Sequence, residues 1–334
     1  MLAERGARRM MANLYPLRFD PIYQYRLWGG RRLTQFLSLP LPGTEPIGEA
    51  WLLSDREDHA SRVSSGALQG ATIAELLAQR PQEMLGRLCG QVKRFPLLLK
   101  LLDVKDSLSV QVHPTAGETA KTEAWVVLQG GPEAVIFAGL KSAPTPENLR
   151  RAIHDGTVVD QLARFTPVPG EAVLIRAGTV HSLRDVVVFE VQQNSDVTFR
   201  LFDWDHLDPR TSKRRALQVE QALACVDYGQ GEIQPLIPLV ESTLPNLEER
   251  IIRCDQFVVT RVIGQRPFKV GQVALPRVLV CLEGSAQLLH AGEVYPVGKG
   301  EVLLLPAAVG ECSCEPQGIL HLLEIALPRA APTS

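Results

Sequence analysis

Short apolar segments interrupted by glycine and proline recur along almost the whole chain, and they constrain the fold more than any other feature of the sequence. Such segments have the length and punctuation of β-strands. The pattern predicts a mainly β protein, a sandwich or barrel, with a few short helices. The predicted strands are residues 95–102, 107–112, 124–128, 134–137, 172–175, 186–192, 257–263, 278–282, 302–305 and 319–325.

Two segments carry helical signatures instead. Within residues 71–80, Thr72 is a suitable N-cap and Glu75 follows three residues later, which is the spacing of a capping box. A second helix is predicted over residues 212–225.

A repeat divides the chain into two parts. The sequence LQG at 128–130, followed by GEAVLI at 170–175, is echoed by LEG at 282–284, followed by GEVLLL at 300–305. Two copies of one pattern predict two β units of the same architecture. We expect a first domain over residues 14–235 and a second over 236–334, after an N-terminal extension (1–13) that is expected to be disordered.

The charge balance limits the possible partners. The 334 residues include 35 lysines and arginines against 37 aspartates and glutamates, so nothing favours nucleic acid or an acidic membrane. No segment approaches the roughly 18 apolar residues of a membrane span, and no secretory signal is recognisable. The six cysteines lack metal-knuckle spacing. We expect a soluble, cytoplasmic protein with reduced thiols.

The segment around Gln111 and His113 carries the clearest chemical signal. Side chains two apart in a strand share a face, so both polar groups enter one interior. Glu123 begins the next strand, and His181 follows a strand and a tight turn framed by glycines. Two imidazoles, a carboxylate and an amide oxygen suit a divalent metal that keeps an open position, with zinc as the first choice.

These residues resemble a known family. Gly170 followed by Gly178 and His181, together with Gln111, His113 and Glu123, is similar to the paired motifs of the cupin superfamily. Four blocks in order resemble the short bacterial form of type I mannose-6-phosphate isomerase (phosphomannose isomerase). They are SLSVQVHP at 107–114, KTEAW at 121–125, AGTVH at 177–181 and FRLFDW at 199–204.

The resemblance implies two cupin-type (jelly-roll) β-barrels and one Zn²⁺ per chain, held by Gln111, His113, Glu123 and His181. The implied reaction interconverts mannose 6-phosphate and fructose 6-phosphate by proton transfer through an enediol. A shorter segment between His113 and Glu123, and Phe202 in place of a commoner tyrosine, depart from the family pattern.

The second barrel departs further from a metal site. In the repeat, Glu311 takes the position of the histidine and Arg277 that of the glutamate. A cation in place of a ligand opposes metal binding, so we expect the second domain to be metal-free and structural.

The resemblance also implies Arg200 as an active-site residue, with Lys100 close by. Arg200 would neutralise charge on an enediolate, although a structural ion pair with Asp203 or Asp205 is the alternative. Burial would lower the pKa of Lys100 and let it act in proton transfer near neutral pH, unless it lies at a strand edge and extends to water.

Hydroxyl and cationic groups suit a phosphate dianion, which makes Ser54, Lys121 and Arg176 candidate phosphate contacts. Two alternative functions remain open at this point. One is a non-catalytic zinc cupin that binds sugars or regulates; the other is an iron-dependent cupin oxygenase, since the same ligand types hold Fe(II).

Overall fold

The computed structural model describes residues 13–37 and 39–327. Most of the predicted N-terminal extension, residues 1–12, therefore lies outside the described part. The first half of the chain forms a nine-stranded sheet. Its strands are β2 (Ile22–Gly30), β3 (Ile47–Leu53), β6 (Leu97–Ser107), β7 (Val110–Val112), β8 (Glu123–Leu140), β9 (Leu162–Phe165), β10 (Ala172–Ile175), β11 (His181–Gln193) and β12 (Phe199–Phe202).

The second half forms a seven-stranded and a four-stranded sheet. The seven-stranded sheet contains β1 (Leu17–Arg18), β13 (Leu239–Ser242), β14 (Leu247–Arg253), β15 (Val258–Gly264), β17 (Arg277–Glu283), β20 (Val302–Leu305) and β22 (Leu320–Ala326). The four-stranded sheet contains β16 (Phe268–Val270), β18 (Ser285–His290), β19 (Glu293–Gly298) and β21 (Cys312–Pro316). A small hairpin joins β4 (Asp55–Arg56) to β5 (His59–Ala60).

The mainly β architecture predicted from the strand pattern is confirmed, and so is the cupin-type fold implied by the resemblance. All strands after residue 236 belong to the second pair of sheets, yet β1 also joins them, with Leu17 opposite Leu304. Leu17 is completely buried in a core that runs from the first sheet into the second. The chain start thus ties the two halves together, and the boundary at residue 235 stays a prediction.

In the described part of the chain, four short α-helices accompany the sheets: α1 (Ile73–Gln79), α2 (Pro81–Leu85), α3 (Pro146–His154) and α4 (Val219–Cys225). The capping box predicted for α1 is present, because Glu75 N donates to Thr72 Oγ1 at 3.1 Å and Thr72 N donates to the Glu75 carboxylate at 2.8 Å. None of the helices in the described part of the chain is long and apolar enough to span a bilayer.

Three details differ from the sequence prediction. The predicted helix over 212–225 was too long: α4 begins only at Val219, since Ser212 has a φ of +55°, outside helical space. The predicted strand 107–112 is broken between Ser107 and Val110. The predicted strands 124–128 and 134–137 are one continuous strand, β8.

The strand order of the first sheet positions the cavity. Its main path is β10, β8, β11, β6, β2, β3, so the two longest strands lie at its centre. Glu190 of β11 is paired with Lys100 of β6 on one side and with Trp125 of β8 on the other. Polar side chains from strands far apart in sequence therefore meet on one face.

Candidate active site

Three strands and their ends bring the predicted ligands together. Gln111 lies in β7 and pairs with His181, the first residue of β11. His113 follows β7 directly, and Glu123 is the first residue of β8. All four residues lie in or next to the ends of strands of one sheet, so their side chains can point to one place.

The distances define a compact cluster. His113 Nε2 lies 3.2 Å from Glu123 Oε2, and His181 Nε2 lies 3.4 Å from Glu123 Oε1. One ligand atom from each of these three residues lies within 4.8 Å of the others, and all three side chains are at most 1% exposed. Gln111 closes the set, since its Nε2 is 3.1 Å from His181 Nε2.

The two imidazoles are oriented as metal ligands are. Nδ1 of His113 donates to the Val197 carbonyl and Nδ1 of His181 to the Thr179 carbonyl, both at 2.9 Å. These bonds leave each Nε2 lone pair directed at the cluster. His113 Nε2 is fully buried and makes no hydrogen bond to any described residue, a costly arrangement unless a cation occupies the centre. The donor set fits a divalent metal.

The electrostatics favour the deprotonated ligand forms. Burial, followed by the charge of Lys121, lowers the pKa of His113 to about 3, and burial also lowers the pKa of His181. Burial alone would raise the pKa of Glu123, but Lys121 and His113 outweigh it and hold that pKa well below its usual range. Neutral imidazoles and a carboxylate are the forms that bind metal.

Gln111 is the fourth predicted ligand. Ser109 Oγ donates to Gln111 Oε1 at 3.0 Å. Rotating the amide by 180° exchanges its oxygen and nitrogen, so the same side chain can present Oε1 to a metal while its Nε2 donates to Ser109 Oγ.

Within residues 13–37 and 39–327, this is the one cluster of at least three His, Cys, Asp or Glu residues with metal-ligand spacing. In the second half, Arg277 is buried and its Nε lies 3.3 Å from Glu324 Oε1. Glu311, which takes the histidine position of the repeat, is exposed. The absence of metal from the second half stays a prediction.

A cavity of about 550 Å³ opens beside the cluster and is lined by Gln111, Lys121, Lys100 and Arg200, among others. It brings together residues predicted as ligands, as proton carriers and as anion contacts. A larger cavity of about 980 Å³ adjoins it and shares Arg26 and Asp196.

Lys100 is buried, so the alternative of a lysine extending to water is wrong. Its Nζ lies 3.6 Å from Glu49 Oε2, 3.7 Å from Glu190 Oε1 and 3.2 Å from Asp196 Oδ1. Burial alone would lower the pKa of Lys100, but these three carboxylates raise it above its ordinary value. The expected lowering was wrong because the sequence does not reveal which acids surround the ammonium group.

Arg200 makes no ion pair with its predicted structural partners. Asp203 accepts from Arg215, and Asp205 pairs with Arg214 at 2.7 Å. Arg200 Nε is buried without a hydrogen bond within the described part of the chain. Burial, and then the charge of Arg215, lowers the pKa of Arg200. The guanidinium is thus left available to the cavity that it lines.

The three candidate phosphate contacts are scattered. Lys121 lines the cavity, with its Nζ 2.7 Å from Glu123 Oε2. Ser54 is completely buried, and its backbone N–H already donates to Ser61 Oγ. Arg176 is exposed and lies outside the cavity lining. The structure therefore brings only Lys121 to the cluster.

Several charged residues of the cavity were missed by the sequence analysis: Arg26, Glu49, Glu190, Asp196 and Arg215. Glu190 had a usable signal, since it is the one charged residue within the apolar run from Val186 to Val191. Two tryptophans fix these acids: Trp51 Nε1 donates to Glu49 at 2.6 Å, and Trp125 Nε1 donates to Glu190 at 2.9 Å.

The fold and the cluster together define a cupin-type protein with a buried His, Glu, His site. The family model for the catalytic domain of type I phosphomannose isomerase matches residues 17–130. Mannose-6-phosphate isomerase ManA of Bacillus subtilis is 32% identical over 316 residues, covering 90% of this chain and 96% of that protein. The chain belongs to the type I phosphomannose isomerases, a family of isomerase enzymes.

Two further relatives agree with this placement. Mannose-6-phosphate isomerase of Streptococcus mutans is 30% identical over 305 residues, covering 88% of this chain and 93% of that protein. The crystal structure of the mannose 6-phosphate isomerase from Bacillus subtilis superimposes with a TM-score of 0.85 at 27% identity, covering 94% of this chain and all of that one. The similarity therefore extends over both halves of the chain.

Proposed function

We propose that this protein is a zinc-dependent isomerase that interconverts mannose 6-phosphate and fructose 6-phosphate. The observation that carries the proposal is the buried cluster of His113, Glu123 and His181 beside a cavity that also holds Lys100 and Arg200. The named relatives support the same substrate, since they are mannose-6-phosphate isomerases.

Zinc suits the nitrogen and oxygen donors of His113, Glu123, His181 and Gln111. When bound there, it would supply Lewis-acid polarisation of the sugar oxygens. The protein itself holds the donors in place: the two backbone carbonyls fix the imidazoles, and Lys121 lies against the carboxylate of Glu123.

The reaction moves a proton between C1 and C2 of the sugar, so a group in the cavity must accept and return it. Burial, followed by the charge of Glu123, raises the pKa of Glu190 to about 7, against the opposing charges of Lys121 and Lys100. Its Oε1 atom is buried and makes no hydrogen bond within residues 13–37 and 39–327. Glu190 Oε1 is therefore suited to carry the proton near neutral pH.

Lys100 contributes as a cation. Its raised pKa keeps the ammonium group protonated at neutral pH, where it can donate a proton to a sugar oxygen or stabilise negative charge. Arg200 is also a cation, and it forms no ion pair with a carboxylate of the described chain. Its guanidinium can therefore neutralise charge that develops on the enediolate.

The decisive test is a coupled assay of the zinc-loaded protein with mannose 6-phosphate, in which fructose 6-phosphate formation is linked to a nicotinamide-dependent dehydrogenase. We expect turnover, loss of turnover after chelation, and recovery on adding zinc. Phosphorylated mannose should have a higher kcat/KM than free mannose, because binding a nonreacting phosphate helps to orient C1 and C2.

The same preparation separates the alternatives. Binding of fructose 6-phosphate without turnover by the zinc-loaded protein would indicate a non-catalytic sugar-binding cupin. Activity that requires Fe(II) and consumes dioxygen would indicate an oxygenase.

A further inference from the structure

Charge is distributed unevenly around the cavity. On one side three carboxylates, from Glu49, Glu190 and Asp196, surround the ammonium group of Lys100. Arg26 adds a second cation there, but both of its bonds to Glu49, at 3.0 and 3.1 Å, are already made. A dianion placed on this side would face more carboxylates than cations.

Two further cations of the cavity are arginines. Arg200 and Arg215 both line the cavity, and the charge of Arg215 is close enough to help lower the pKa of Arg200. Asp208 also lines the cavity, but its Oδ1 already accepts from Tyr25 Oη at 3.2 Å and from Arg210 N at 2.8 Å. A dianion is therefore attracted to these two guanidinium groups.

Arg215 is held in a fixed orientation. Its Nε donates to Asp203 Oδ2 at 2.9 Å, and its Nη2 donates to Asp203 Oδ1. Asp203 is only 7% exposed, so this support is itself anchored. No hydrogen bond from Arg215 Nη1 to a residue of the described chain is present, which leaves that nitrogen to donate to a ligand.

The two arginines lie on different elements of the fold. Arg200 of β12 is paired directly with Gln111 of β7, a predicted metal ligand. Arg215 comes from the loop between β12 and α4. Arg200 therefore lies beside the predicted ligands, whereas Arg215 reaches the cavity from outside the strands that carry them.

We propose that Arg215, oriented by Asp203, binds the phosphate group of the substrate and thereby sets its direction in the cavity. This inference rests on the proposed function. Of the earlier candidates, Ser54 and Arg176 lie outside the cavity lining, and Lys121 lies against Glu123, a predicted metal ligand.

The test is Arg215→Gln in the zinc-loaded full-length protein, with Arg214→Gln as the matched control. Arg214 is the neighbouring residue and has a carboxylate partner too, but its side chain is 65% exposed and lies outside the cavity lining. We expect Arg215→Gln to raise KM for mannose 6-phosphate about tenfold or more with kcat changed less than about threefold, since a nonreacting group is lost. Arg214→Gln should match the parent protein.

A second measurement does not depend on turnover. Inorganic phosphate, titrated calorimetrically into each protein, should bind the parent and Arg214→Gln alike and bind Arg215→Gln about tenfold or more weakly. Arg215→Lys should recover part of this binding, because it keeps the charge but loses the planar fork.

The inference is overturned if Arg215→Gln keeps the parent KM and phosphate affinity, or if it lowers kcat and melting temperature while KM stays the same. The latter result would assign Arg215 a purely structural role. If the parent protein fails to isomerise mannose 6-phosphate, the proposed function fails, whereas the phosphate titrations still decide whether Arg215 binds the anion.

Discussion

Lys100 and Glu190 face each other across neighbouring antiparallel strands, with the lysine Nζ 3.7 Å from the glutamate Oε1. Both side chains are almost fully buried. Such a pair is retained only where further charges and hydrogen bonds compensate for lost hydration. Glu49, Asp196 and the indole of Trp125 supply that compensation here.

Replacing Lys100 by Met should leave these buried carboxylates without their cation. We expect the free energy of unfolding to fall by about 3–5 kcal/mol, as for other broken buried ion pairs, together with loss of activity. Denaturant unfolding measures the change. Lys93→Met is the control, since that side chain is 92% exposed, and it should unfold like the parent protein. Equal stability of Lys100→Met and the parent would contradict the network described above.

The raised pKa of Lys100 also fixes a pH dependence. A lysine whose pKa is higher in the folded state stabilises the fold below its unfolded pKa, and this stabilisation is lost only as the pH rises above about 10.5. Between about pH 6 and 9, Lys100 stays protonated and should give no inflection in a profile of kcat against pH. A titration of the Lys100 ammonium group within that range, followed by NMR of the lysine side chains, would contradict this prediction.

Metal content should depend on the first sheet alone. The purified protein is expected to carry about one zinc per chain. His113→Ala and His181→Ala should each lose most of it, because each removes one of the buried donors. Glu311→Ala is the control and should retain the metal. Elemental analysis of the purified variants gives the result, and two tightly bound metals per chain would contradict a single site.

Arg200→Ala should lower kcat by about 10²-fold or more while metal content stays the same, because the guanidinium acts on charge present only in the transition state. Arg200→Lys should recover little, since an ammonium lacks the planar fork. Turnover, bound zinc and melting temperature are measured on one preparation. Near-normal kcat with a lowered melting temperature would instead assign Arg200 to structure.

Glu324 allows a test of electrostatics in the second half of the chain. Burial raises its pKa to about 6, against the opposing charge of Arg277. The folded protein therefore holds a proton that the unfolded chain releases above pH 4.5, so this carboxyl weakens the fold as the pH rises towards 6. The difference in unfolding free energy between Glu324→Gln and the parent should therefore shift in favour of the variant by on the order of 2 kcal/mol as the pH rises through that window. Above the window it should shift no further.

Unfolding at about pH 4 and about pH 8 measures this difference, because these two values lie on either side of the window. Glu311→Gln is the control, since Glu311 is exposed and outside the buried pair. A difference between Glu324→Gln and the parent that is independent of pH would contradict the shifted pKa.

The strand pattern and the ligand spacing were readable from the sequence. Alternation along a strand is a local property of the backbone, so the shared face of Gln111 and His113 could be predicted without knowing the fold. The capping box of α1 is equally local, since Thr72 and Glu75 are three residues apart. The breaks were less predictable: the strand interruption before Val110 follows from sheet register rather than from residue type.

The surroundings of individual charges were decided by tertiary structure alone. The pKa of Lys100 is raised rather than lowered, because strand pairing brings glutamates about 50 and about 90 positions away in the chain next to it. Arg200 forms no ion pair with its two predicted aspartate partners, because Arg215 and Arg214 pair with them instead. Local periodicity specifies which face a side chain occupies, whereas its pKa and its partners depend on distances through space that only the folded chain sets.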